Sequence, residues 1–74
     1  MSEENLRELF EEIHEKIYSP ENRQKIIAEI NADNGLNPET SLSDHIISVH
    51  LVNATLEREF LFQVLLRLIK DQSL

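Results

Sequence analysis

The side chains able to carry chemistry are few: three histidines, a set of acids and scattered serines, with no cysteine. Glu11 and His14 stand in the Glu-x-x-His spacing that helical bundles use for dinuclear metal centres, but such a centre needs a second copy of the motif and further inward carboxylates. On a helix His14 flanks the apolar stripe and Glu11 points further out, so the pair faces water or a boundary and no metal is expected. His45 and His50 lie about 140° apart around a helix and cannot share an ion from one helix. Boundary packing is the expected role of each. The serines fall at helix starts or near the end of the chain, where backbone hydrogen bonds account for them, and no nucleophile and base stand in a recognisable pattern. Gly35 is the single glycine, so there is no phosphate-cradling loop. Asp33-Asn34-Gly35 matches a fragment of a calcium loop without the bidentate Glu or the alternating oxygen ligands. The absence of cysteine excludes disulfides, thiolate zinc sites and cysteine nucleophiles together. A chain of 74 residues has little room for a sheltered pocket of about 300 Å³. The expectation is a protein that is not an enzyme and takes no cofactor.

Charge narrows the partners. Fourteen acids against seven Lys and Arg give a formal −7, which repels a polyphosphate backbone. The bases Arg7, Lys16, Arg23, Lys25, Arg58, Arg67 and Lys70 are scattered among acids, so direct contact with nucleic acid or an anionic membrane is disfavoured. No run approaches about 18–20 apolar residues. Met1-Ser2-Glu3-Glu4 lacks the basic start and apolar core of a secretion signal. A soluble cytoplasmic protein of one domain, residues 1–74, is the reading.

These residues need elements to hold them, and the periodicity supplies three helices. Leu6, Leu9, Phe10, Ile13 and Ile17 recur at spacings of three and four over residues 3–18, with Ser2 as cap and Glu3 and Arg7 as an i,i+4 pair. Ser19-Pro20-Glu21 ends one helix and starts the next, since serine caps and proline suits the first helical position. That second helix runs from 20 to 33 with Ile26, Ile27 and Ile30 inward, until Asn34-Gly35 provides a left-handed exit. After a loop or single turn at 36–40, Ser41 to Asp44 forms a capping box ahead of a third helix over 42–70. His45 to Val52 is rich in β-branched residues and passes locally for a strand, but nothing else in the chain alternates with period two to pair with it.

The third helix has too much apolar surface for its neighbours. Leu42, Ile46, Val49, Leu56, Phe60 and Val64 share one face; Ile47, Leu51, Ala54, Leu61, Leu65, Leu68 and Ile69 spread over a second. The combined arc is roughly 200°, against the ~100° stripe of an ordinary surface helix. Asp44, Ser48, Thr55, Glu59, Gln63 and Lys70 are left as the strip for water. At about 1.5 Å per residue the third helix is about 42 Å long and the others about 24 and 20 Å, so laid end to end they line one face only. The rival, a break near Asn53 giving a four-helix monomer, lacks any Gly, Pro or turn cluster to make the break.

The fold expected is therefore all-α, a three-helix chain with two short helices and one long C-terminal helix, completed as a dimeric helical bundle. Phe60, Leu61, Phe62, Leu65, Leu68 and Ile69 form the dimer or partner interface. Glu4, Glu8, Glu11, Glu12 and Glu15 form an acidic contact face able to steer a basic protein partner. The function expected is a small acidic, non-enzymatic protein–protein interaction or regulatory module that self-associates through its C-terminal helix. The alternatives are an inhibitor whose carboxylates occupy the nucleic-acid-binding site of another protein, and a small subunit docking its apolar helix on a larger assembly.

Overall fold

The computed structural model describes residues 2–72; Met1, Ser73 and Leu74, which belong to the single domain expected over 1–74, lie outside the described residues. The chain forms α1 (Glu3–Ile17), α2 (Pro20–Asn34) and α3 (Leu42–Gln72), with no strand among the described residues. The all-α expectation holds, and each boundary falls within the one or two residues by which helix ends are ordinarily uncertain. His45–Val52 is helical and α3 runs unbroken through Asn53, so the helix stays continuous where nothing in the sequence would stop it.

Local chemistry sets the ends. Ser2 Oγ accepts from the Asn5 N–H at 3.1 Å, and Ser19 Oγ accepts from the Asn22 N–H at 3.2 Å with Pro20 opening α2. The Asn22 side chain then donates back to the Ile17 carbonyl at 2.7 Å, so one residue stitches the end of α1 to the start of α2. Gly35 ends α2 at φ 62°, ψ 35°, and the Leu36 N–H returns to the Asn31 carbonyl at 2.9 Å, the closure that a left-handed glycine permits. At the start of α3 the Asp44 N–H donates to Ser41 Oγ. The Asp44 carboxylate does not complete the box on Ser41; it accepts from the Asn37 N–H at 3.0 Å and ties the 36–41 connection to the helix it precedes.

Phe10 of α1 meets Phe60, Ile26 of α2 lines a groove with Leu56, and Asn31 meets Ser48. The chain therefore runs α1 then α2 along α3 in the opposite direction, a helical hairpin whose first arm is broken at Ser19-Pro20. Its extents are 50 × 19 × 17 Å and its radius of gyration 15.5 Å, against about 11 Å for a compact domain of this length.

The reason for the break lies in the rows that are buried. Leu9, Ile13 and Ile17 of α1 and Val52, Leu56 and Val64 of α3 are the core, with Phe60 and Leu68 packed against it. On α3 the inward row is Ser48, Val52, Leu56, Phe60, Val64, Leu68, one residue in four. Such a row is the inclined ridge of helix packing. It turns about 40° at each step, hence about 200° from Ser48 to Leu68. One straight helix cannot follow that rotation, whereas two short ones can each dock at their own bearing.

This row also corrects the expected water-facing strip. Ser48 is only 5% exposed and its hydroxyl donates to Asn31 Oδ1 at 2.6 Å. Asp44, Thr55 and Gln63 are half-buried, and Thr55 Oγ1 returns to the Leu51 carbonyl at 2.8 Å. Assigning the side by polarity fails here because α2 offers a polar partner to Ser48. Glu59 and Lys70 are exposed.

Candidate protein-interaction surface

Phe60 is the hub of an aromatic cluster between α1 and α3. Phe10 meets it edge-on at 6.1 Å, His14 edge-on at 5.7 Å and Tyr18 tilted at 6.3 Å. His14 in turn stacks on Tyr18 at 4.5 Å with 21° between the planes. This places His14 at the edge of the core as an aromatic neighbour. Among the described residues no three His, Asp or Glu side chains gather as a set of metal ligands.

The six residues expected at the interface divide into two sets. Phe60 and Leu68 turn inward and pack against the core. Leu61, Phe62, Leu65 and Ile69 are 52–63% exposed, on the side of α3 away from α1. Phe10, not among the expected interface residues, is also more than a third exposed. Ile47 is exposed and Leu51 half-buried further up the same helix.

These positions share a pattern distinct from the buried row. Ile47, Leu51, Ala54, Arg58, Leu61 and Leu65 are separated by alternating steps of four and three, the 3.5-residue repeat of a helix seam. At about 100° per residue they lie within an arc of about 80°, so the outer side of α3 carries its own apolar stripe with one charge in it. Leu42, Ile46 and Val49 are exposed as well, on a different bearing near the start of the helix.

The cost of that arrangement shows in the total surface. The chain exposes 5961 Å², whereas a compact protein of 8.6 kDa exposes about 4,700 Å². The excess of about 1,300 Å² exceeds the ~800 Å² that one partner contributes to a standard interface.

The acidic side chains occupy another face. Glu4, Glu8, Glu11 and Glu15 fall within an arc of about 60° directly opposite the row Leu9, Ile13, Ile17, with Glu12 about 70° away from its centre. All five are exposed. Arg7 is bound to Glu3 at 3.1 Å and lies off this strip. Like charges at i,i+4 cost an isolated helix a few tenths of a kcal/mol each, so the strip persists against a small penalty.

The clefts are open grooves. One, about 610 Å³, runs along the α1–α2 break between Lys16, Asn22 and Lys25 on one wall and Thr55, Glu59 and Gln63 on the other. It is larger than the size of the chain suggests, because the break leaves a gap that a continuous arm would fill. Its serine, Ser19, holds the α2 cap. A second groove of about 260 Å³ between α2 and α3 is floored by Ile27, Val49 and Val52.

No family model matches this chain, and no curated protein and no solved structure matches it either. Among the described residues no helix is long and apolar enough to cross a membrane.

Proposed function

We propose that this protein is a small acidic helical interaction module, without enzymatic activity, that works as a homodimer joined along the outer face of α3. The observation that carries the reading is the exposed apolar side chains concentrated on one helix: Leu61, Phe62, Leu65 and Ile69 are each more than half exposed although the chain has two further helices with which to cover them. A hairpin only two helices thick, laid against a second hairpin, becomes a four-helix bundle, in which facing apolar stripes are buried from both sides. The α1 strip of Glu4, Glu8, Glu11 and Glu15 lies on the far side of α1 from the core and stays in water, available to steer a basic protein partner.

Sedimentation of the pure protein at micromolar concentration tests this. The expected mass is twice 8.6 kDa, with a melting temperature that rises with concentration and an association that changes little with salt, since apolar docking is not screened. A chain that sediments at 8.6 kDa and melts at one temperature at all concentrations overturns the reading.

A further inference from the structure

Resting on that reading, we infer that the second copy lies antiparallel, with the two-fold axis level with Leu56, so that Arg58 of each chain packs against Ala54 of the other. The outer stripe of α3 has the 3.5-residue spacing of a left-handed helix pair, and it contains one charged residue, Arg58, one turn after its smallest residue, Ala54. Those two residues decide the orientation.

A parallel, in-register pair sets every stripe residue against itself. Arg58 then meets Arg58 between apolar layers, two like charges withdrawn from water with no acid in the stripe to neutralise them. The antiparallel pair about Leu56 gives different layers: Ile47 against Leu65, Leu51 against Leu61, Ala54 against Arg58, and the same three again on the other side of the axis. Apolar side chains meet apolar ones in the four outer layers. The arginine stem lies over the alanine, where there is room for it, and its head reaches the exposed edge. Sliding the pair by one heptad in either direction places Arg58 against Ile47 or Leu61 and loses this match of large with small. A two-fold arrangement of this kind is closed, because the same patch serves on both chains. The excess of about 1,300 Å² over a compact protein of this mass is enough to supply each chain's share of a standard contact.

A spin label on a single cysteine distinguishes the arrangements, since the chain has no cysteine of its own. Ser43 is exposed and lies near the start of α3, so Ser43→Cys leaves the layers from Ile47 to Leu65 untouched. In the antiparallel dimer the two labels are about 39 Å apart along the helix axis; in a parallel dimer they sit level, separated by little more than the helix spacing of about 8–10 Å and the label arms. A dipolar distance near 40 Å is the expected result. A distance below about 20 Å overturns the antiparallel assignment and leaves self-association standing. No intermolecular coupling together with a monomer mass overturns self-association itself. As a second readout, Ile47→Cys chains mixed with Leu65→Cys chains should oxidise mainly to the mixed disulfide. Like-with-like products in excess of a statistical mixture count against the register.

Discussion

Replacing Leu65 with lysine tests the outer stripe where its meaning is sharpest. Leu65 is 59% exposed in the lone chain. Burying a whole leucine is worth about 1.5–3 kcal/mol, so the part left for a partner to cover is worth roughly 1–2 kcal/mol per chain by the same measure. The two-fold dimer contains it twice, which makes the loss about 2–4 kcal/mol. At about 1.4 kcal/mol per tenfold, Leu65→Lys should raise the dimer Kd by roughly 30- to 700-fold, and an ammonium facing an apolar seam adds to that. The isolated chain tolerates the lysine because the position is already wet. The assay is sedimentation at a series of concentrations, with melting followed by circular dichroism on the same samples. The expected result is a monomer mass at concentrations where the parent chain is dimeric, and a melting temperature no longer dependent on concentration. Leu56→Ala is the contrast: Leu56 is 1% exposed, so its truncation should remove about 2–5 kcal/mol of stability at every concentration. If Leu65→Lys keeps both the mass and the melting temperature of the parent, the stripe does not join two chains.

Three further outcomes follow from named contacts. Arg58→Leu removes the one charge from the stripe and should tighten association while admitting parallel pairs, visible as a lower Kd by sedimentation and a second, shorter distance between labels at position 43. Ser48→Ala takes the donor from Asn31 Oδ1; because Asn31 is half-exposed and can recruit water, the loss should be about 1 kcal/mol, read as a lower urea midpoint with the slope unchanged. Gly35→Ala places a Cβ in open space at a φ of 62°, so the cost is that of the left-handed backbone alone, about 1–2 kcal/mol by chemical denaturation.

Helix positions were legible because their signals are local. Ser19-Pro20 and Asn34-Gly35 act within one turn of themselves, and the caps of α1 and α2 form as their residue types dictate. The over-wide apolar arc of α3 was legible too, since it follows from counting residues around a circle. The division of that arc was not. Phe60 and Leu68 look the same in sequence as Leu61 and Leu65; which pair turns inward depends on the bearing at which α1 docks, and that is set by the break at Ser19-Pro20 and the four-residue ridge it meets. Ser48 shows the same limit from the other side: a hydroxyl reads as solvent-facing until Asn31, seventeen residues earlier, is brought beside it. The four-residue row from Ser48 to Leu68 was present as a sequence signal and becomes informative once the buried residues flanking it are known.

The reversal of chain direction has a consequence for biosynthesis. Phe10 rests on Phe60, so α1 leaves the ribosome long before the ridge it needs has been made, and it waits with Leu9, Ile13 and Ile17 uncovered. Closing so large a loop is slow compared with zipping α2 onto the nearby start of α3, which needs only the short connection at 36–41. The hinge end of the hairpin therefore assembles first and α1 docks last.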